Sequence, residues 1–103
     1  MSEQGAVMSD GCIELEVTIC NSQGLHARPA AQFVRIASRY AKAELSVTKD
    51  SMSVNGKSII GIMMLAAGPG TKLQLKAEGE GASDLLRDLE GLVNGKFGED
   101  ATT

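Results

Sequence analysis

Three segments of the chain alternate apolar and polar residues, and this alternation constrains the fold more than any other feature. The segments cover residues 13–19, 43–49 and 71–78. Because successive side chains of a strand point to opposite faces, each segment predicts a strand with one buried face and one face in solvent. Residues 52–54 predict a short fourth strand that returns after a turn and forms a hairpin with the second.

The segments between these strands have helical spacing. Residues 27–40 and 82–93 each place their apolar side chains on one stripe of a helix. A short apolar segment, 59–67, follows Ser58, whose type favours helix N-caps, and ends before a Gly-Pro-Gly sequence. Since each strand has one apolar face, the economical packing is a single sheet with every helix on one side. The predicted fold class is α+β, an open-faced β-sandwich with the order β-α-β-β-α-β-α.

The length and composition predict one domain. A chain of 103 residues, of which 43% are hydrophobic, can bury one modest core. We expect this domain to span residues 12–95. Residues 1–11 have no periodicity and predict a disordered N-terminal tail. Residues 96–103 predict a short C-terminal tail in which Phe97 can fold back.

The charge balance and the residue types exclude several classes of function. A net charge of −3 and only three aromatic residues argue against a nucleic-acid surface. No apolar segment approaches the roughly 20 residues of a membrane span, and the N-terminus shows no secretory signal. Cys12 and Cys20 flank a strand about 26 Å long, so they predict free thiols in a reducing cytoplasm. With one histidine they cannot form a typical zinc site, and we expect neither a metal nor a cofactor.

The candidate chemistry is centred on the only histidine, His26. It precedes a predicted helix whose first turn contains Arg28 and Pro29, and proline fits there because that turn needs no backbone donors. Imidazole is a nucleophile near neutral pH, the free N–H groups of a helix start favour an anion, and arginine is a good phosphate partner. The alternative is that His26 only caps the helix.

Two motifs that are typical of independent enzymes are incomplete or missing in this sequence. Gly-Lys-Ser at 56–58 is similar to the end of a nucleotide-binding P-loop, but Ser51 stands where that loop requires glycine. A hydrolytic triad has no support, because no serine lies in a nucleophile-elbow pattern. A carrier needs less than an enzyme: one nucleophile, a place for the transferred anion, and a docking surface.

The second predicted helix offers such a docking surface. It is apolar almost all round, and a domain of this size cannot bury every face of it. We therefore expect part of the following set to remain exposed: Ile59, Ile60, Met63 and Met64. The face with Ile62, Leu65 and Ala66 is expected to enter the core. The alternative is that the whole helix is buried.

Two motifs carry a family resemblance that covers residues 13–93. Gly-Leu-His-Ala-Arg-Pro-Ala-Ala at 24–31 and Asn-Gly-Lys-Ser-Ile-Ile-Gly-Ile-Met at 55–63 resemble HPr. HPr is the histidine-containing phosphocarrier of the bacterial phosphoenolpyruvate-dependent phosphotransferase system. The resemblance implies a four-stranded antiparallel sheet under three helices. It also implies a monomeric carrier that is not an independent enzyme.

The resemblance implies roles for particular residues. His26 would accept a phosphoryl group on Nδ1 from the phosphohistidine of enzyme I and pass it to a histidine of an enzyme IIA protein. Arg28 and the backbone N–H groups of Ala27 and Arg28 would hold the phosphate. The implied docking residues for these partners are Ile59, Ile60 and Met63.

Ser58 matches the regulatory serine of the family, which a dedicated HPr kinase/phosphorylase modifies with ATP. The alternative is that Ser58 is only an N-cap. A second function hypothesis is a regulatory binding module with little flux of phosphate. Partners would recognise it by the phosphorylation state of Ser58, or it would act in the nitrogen-related branch of these carriers. Residues 94–100 resemble the acidic tail of that branch. A third, an independent small enzyme, has no motif in its support.

Overall fold

The computed structural model describes residues 7–9 and 12–99. Its elements follow in the predicted order, with one extra strand at the start. The strands are β1 (Val7–Ser9), β2 (Cys12–Thr18), β3 (Ala43–Lys49), β4 (Met52–Asn55) and β5 (Lys72–Gly79). The helices are α1 (Ala27–Ser38), α2 (Ile59–Met64) and α3 (Ala82–Asn94), followed by a 3-10 turn, η1 (Lys96–Gly98).

The strands form one antiparallel sheet in the order β1-β2-β5-β3-β4. β5 lies at its centre, since Leu75 pairs with Leu15 of β2 on one side and with Val47 of β3 on the other. Buried and exposed residues alternate along β5, and the buried set faces the helices. The opposite face is in solvent and carries charged residues such as Glu16 and Lys76. The predicted open-faced α+β sandwich is confirmed.

The apolar stripes of α1 and α3 form the core together with the buried face of the sheet. Phe33 of α1 and Leu85 and Leu89 of α3 are fully buried. Burial of a side chain of this size stabilises the folded state by roughly 1.5–3 kcal/mol. Phe97 of η1 is 3% exposed and closes the same core, so the C-terminal tail does fold back at this residue.

The prediction of a disordered tail over residues 1–11 is wrong at Val7–Ser9. These residues form β1 on the edge of β2, with Met8 opposite Ile13. Three residues are too few to show an alternating pattern, and the pairing depends on the open edge that β2 offers rather than on the local sequence. The rest of the predicted tail lies outside the described residues, as does the chain beyond Glu99.

α2 is shorter than its apolar sequence predicts. It ends at Met64 rather than near Ala67, because Ala66 adopts a left-handed φ of +51°. The Nζ of Lys49 donates to the carbonyl of Leu65 at 2.9 Å, where a cation favours the C-terminal end of a helix. Ala66 is exposed and Ala67 is buried, which corrects the predicted place of Ala66 in the core.

The end of α1 is tied to α3 and to the loop before α2. The helix ends at Ser38 rather than near Tyr40. The Tyr40 hydroxyl donates to the carboxylate of Asp88 on α3, and this hydrogen bond raises the pKa of Tyr40 above its ordinary value. The Nζ of Lys57 donates to the carbonyls of Tyr40 at 2.8 Å and Ala43 at 2.6 Å. These contacts fix the point at which the chain enters α2.

Two further expectations concern the cysteines and membranes. Cys12 is half-buried in β2 and Cys20 is exposed just beyond its end, and both are free thiols. Across the described ranges, no helix has the length and apolar character needed to cross a membrane.

Candidate functional site

His26 lies at the N-cap of α1, where the sequence predicts it. Its backbone is extended, with φ of −84° and ψ of −166°, and its side chain forms no capping hydrogen bond. The side chain is 43% exposed. The ring does not bond to the helix, so His26 occupies the N-cap position without capping the helix through its side chain.

The loop before His26 is held against the segment that follows α2. The N–H of Leu25 donates to the carbonyl of Ala67 at 2.9 Å. Gly24 has a φ of +69°, and a Cβ at this position would lie 2.5 Å from the Ala67 oxygen. Glycine is the residue that combines a left-handed conformation with so close an approach. The start of α1 and the end of α2 are therefore locked together in space.

The first turn of α1 presents backbone donors beside the histidine. The first intrahelical hydrogen bond runs from the Ala30 N–H to the His26 carbonyl at 2.9 Å. Pro29 has no N–H, so within the described residues the free donors of this turn are those of Ala27 and Arg28. The Arg28 side chain is exposed and forms no salt bridge with any described residue. An anion beside His26 would find two N–H groups and one unpaired positive charge.

Glu99, which the sequence did not single out, contacts the histidine ring directly. Its Oε2 lies 2.8 Å from the Nε2 of His26. Its Oε1 accepts a hydrogen bond of 2.9 Å from the Nδ2 of Asn21. Asn21 is fully buried and donates also to the carbonyl of Gly24 at 2.9 Å. The Glu99 side chain is 13% exposed, so one edge of the His26 ring meets a largely buried carboxylate.

The turn η1 places Glu99 next to the His26 ring. Lys96 and Phe97 adopt left-handed φ values of +59° and +55°, a conformation that costs a non-glycine residue roughly 1–2 kcal/mol. The two residues together cost about 2–4 kcal/mol, and the burial of Phe97, which contributes roughly 1.5–3 kcal/mol, offsets a large part of this. An apolar residue two positions before a pair of acidic ones was the signal available in the sequence. It does not reveal which residue, far along the chain, the acid would reach.

Ser58 and the exposed face of α2 form the second part of the site. Ser58 is the N-cap of α2, and its Oγ accepts a hydrogen bond of 3.0 Å from the N–H of Gly61. Its structural role as an N-cap is confirmed, and its regulatory role stays a prediction. Beside it lie four exposed apolar side chains, which we call the α2 patch: Ile59 (43% exposed), Ile60 (73%), Met63 (41%) and Met64 (61%). Burial of the whole helix is therefore wrong, and it is Ile62 that enters the core from α2.

The exposed ring of His26 lies at the surface, outside the groove that the strands form. A groove of about 640 Å³ lies elsewhere, against β3, β4 and β5, and is lined by polar residues such as Glu44, Asn55 and Lys76. No residue of 24–31 lines it. His26 instead stands on an open surface, which suits a group that is exchanged with other proteins rather than one that encloses a small substrate. The fold and the site together define a small α+β protein with an exposed histidine at the start of its first helix.

Comparison with known proteins identifies the family. Residues 13–95 match the family model of the PTS HPr component phosphorylation site. The phosphocarrier protein HPr of Pseudomonas aeruginosa is 50% identical over 86 residues, which cover 82% of this chain and 94% of that protein. The chain belongs to the HPr family. It is a phosphocarrier of the phosphotransferase system and not an independent catalyst.

Solved structures agree with this assignment. The crystal structure of HPr-C-His from Thermoanaerobacter tengcongensis has a TM-score of 0.80 at 44% identity and covers 84% of this chain and 96% of that one. A crystal structure of an HPr dimer from the same organism has a TM-score of 0.68, also at 44% identity, and covers 81% of this chain and 94% of that one. Glu99 lies beyond the residues matched by the family model.

Proposed function

We propose that His26 is the residue that carries the phosphoryl group. The ring accepts this group on Nδ1 from the phosphohistidine of enzyme I and passes it to a histidine of an enzyme IIA protein. The observation that carries the proposal is the exposed ring at the start of α1, which forms no capping hydrogen bond with the helix. Two unbonded backbone N–H groups and Arg28 lie beside it. The protein acts in this proposal as a cytoplasmic monomer without metal or cofactor.

The transfer depends on geometry and charge stabilisation more than on acid–base chemistry. The lone pair of Nδ1 forms the new P–N bond in line with the P–N bond of the donor, which breaks and returns its electron pair to the donor ring. The N–H groups of Ala27 and Arg28 and the guanidinium of Arg28 hold the phosphoryl oxygens, whose negative charge a helix start favours. Because these contacts do not enclose the phosphate, the next partner can reach it.

Labelling with enzyme I and phosphoenolpyruvate tests the assignment of His26. The wild-type protein should acquire acid-labile phosphate, and His26→Ala should acquire none. Arg28→Ala should still be labelled, but roughly tenfold more slowly, because a charged contact with the phosphoryl group is lost. Lys72→Ala removes a positive charge from the outer face of the sheet and is the matched control. Labelling of His26→Ala would contradict the proposal.

We propose the α2 patch as the docking surface for both partners. An exposed apolar cluster of this kind marks protein interfaces, and methionine side chains adapt to more than one partner. The patch contains the predicted residues Ile59, Ile60 and Met63. Ile60→Lys should raise the KM of enzyme I for this protein with little effect on its folding. Met52→Lys, an exposed apolar position on β4 (43% exposed), is the control and should leave the KM unchanged.

Regulation through Ser58 is a second candidate function, and the position of this residue at the edge of the α2 patch favours it. A phosphate added there by HPr kinase/phosphorylase would bring a charge of about −1.5 to −2 to the edge of an apolar surface. Docking of enzyme I and enzyme IIA would weaken as a result. In the regulatory alternative, a different partner binds the Ser58-phosphorylated form.

The Ser58→Asp variant tests this regulation without the kinase. Phosphorylation of His26 by enzyme I should become slower in Ser58→Asp. Ser58→Ala should keep the wild-type rate and lose about 1 kcal/mol of folding stability through the missing N-cap. Ser51→Asp places the same charge in the turn between β3 and β4 and serves as the control. Equal rates for the two aspartate variants would refute the proposed regulation.

A further inference from the structure

We propose that Glu99 is a positioning residue for His26. It holds the ring in the tautomer with a proton on Nε2, and it balances the positive charge that the ring acquires when Nδ1 is phosphorylated. This inference rests on the proposed role of His26 as the phosphoryl carrier. Glu99 lies outside the residues that the family model matches, so the contacts of this chain are the evidence for its role.

The tautomer follows from the hydrogen-bonding chemistry of the two groups. A carboxylate only accepts hydrogen bonds, so the 2.8 Å contact between Glu99 Oε2 and His26 Nε2 requires the proton to be on Nε2. In a neutral imidazole the other nitrogen, Nδ1, then carries the lone pair. Glu99 thereby selects Nδ1 as the nucleophile of the ring.

Asn21 fixes the orientation of Glu99 through the carboxylate oxygen that does not contact His26. The Nδ2 of Asn21 donates to Glu99 Oε1 and to the Gly24 carbonyl, each at 2.9 Å. Since Asn21 is fully buried, its amide has little freedom to turn. The same amide therefore fixes both the loop that leads to His26 and the carboxylate that contacts the ring. The buried Phe97 holds the chain in place just before Glu99.

The charge on the ring changes during transfer, and Glu99 is placed to compensate it. When the Nδ1 lone pair bonds to phosphorus, the electron pair of the broken P–N bond leaves with the donor ring, and His26 keeps its Nε2 proton. The His26 ring then carries a positive charge. The Glu99 carboxylate, 13% exposed and hydrogen-bonded to Nε2, stabilises this state, although water screens the pair in part because the His26 ring is 43% exposed. When the phosphoryl group moves to the next protein, the electron pair of the broken P–N bond returns to Nδ1, and the His26 ring is neutral again.

The single histidine makes the tautomer directly measurable. In 15N-labelled protein at an alkaline pH, where an imidazole is uncharged, the shifts of the two ring nitrogens report which of them carries the proton. We expect the Nε2–H form in wild type and a mixture in Glu99→Gln. The glutamine amide has one oxygen for two donors, His26 Nε2 and Asn21 Nδ2. Glu14→Gln removes the same charge from the outer face of the sheet and should keep the wild-type shifts.

Phosphorylation kinetics with enzyme I give the second readout. In Glu99→Gln we expect kcat to fall about tenfold, the scale of one charge-assisted hydrogen bond at a partly exposed ring, with KM unchanged because the α2 patch is untouched. A chain that ends at Gly98 should show the same loss.

A wild-type tautomer or a wild-type kcat in folded Glu99→Gln would overturn the proposal, and so would a wild-type kcat in the chain that ends at Gly98. Failure of the wild-type protein to be phosphorylated at His26 would instead refute the proposed function. The nitrogen shifts would then still decide whether Glu99 holds the ring.

Discussion

A single glycine decides how closely the His26 loop can approach the end of α2. Gly24→Ala should lower the free energy of unfolding by at least about 1–2 kcal/mol, the cost of a left-handed alanine, because its Cβ would also overlap the Ala67 oxygen. Gly68→Ala is the matched control, since no atom lies within 4 Å of its Cβ position. Urea unfolding measures both variants. Equal stabilities would show that the close approach is not required.

At the scale of residues, the sequence predicts those parts of the site whose signals are local. His26, Arg28 and Ser58 are recognisable because a helix start is determined by the few residues around it. Asn21 and Glu99 are not, because their contact joins the loop before α1 to the far end of the chain. The left-handed turn that makes this contact possible depends on the burial of Phe97, and no local pattern encodes it.

At the scale of elements, the hydrogen bond between Tyr40 and Asp88 connects the end of α1 to α3. The folded state holds the phenol proton more tightly than the unfolded chain does, because the Asp88 carboxylate accepts it and raises the pKa of Tyr40. A raised pKa contributes stability below about pH 10, the ordinary value for tyrosine, and this contribution is lost as the pH rises through the raised pKa.

The alkaline titration of Tyr40 tests this connection, and it is specific because the chain has one tyrosine and no tryptophan. The absorbance of the phenolate should appear above pH 10 in the wild-type protein. In Asp88→Asn the midpoint should move down toward about 10. Asp50→Asn, in the turn between β3 and β4, should not move it. If the titration midpoint of Tyr40 is the same in Asp88→Asn as in the wild-type protein, the hydrogen bond is absent in solution.

The elements differ in how far the sequence predicts them. β2, β3 and β5 follow the alternating pattern because each has one face in the core and one in water. β1 could not be predicted, because its pairing is decided by the neighbouring edge. The end of α2 could not be predicted either. Its apolar sequence continues past Met64, whereas the helix ends there, because Ala66 adopts a left-handed φ and the loop turns toward Gly24.

At the scale of the whole molecule, β1 covers one edge of the sheet. Deletion of residues 1–9 should expose the outer edge of β2, so the β2 amides that face β1 should exchange faster with solvent. The exposed edge should also favour dimers at high protein concentration, as measured by sedimentation. Deletion of residues 1–6 leaves β1 in place and is the control. Unchanged exchange and unchanged mass after the longer deletion would rule out a protective role for β1.

The central position of β5 has a consequence for synthesis on the ribosome. β5 is close to the end of the chain, yet it is the strand that joins β2 to β3. Until it emerges, β2 and the β3–β4 hairpin have no common partner, and the core between them cannot close. The domain should therefore fold only after nearly all of it has been made. A chain that stalls before residue 72 would expose two open strand edges to chaperones and proteases, and it would contain His26 without a formed site.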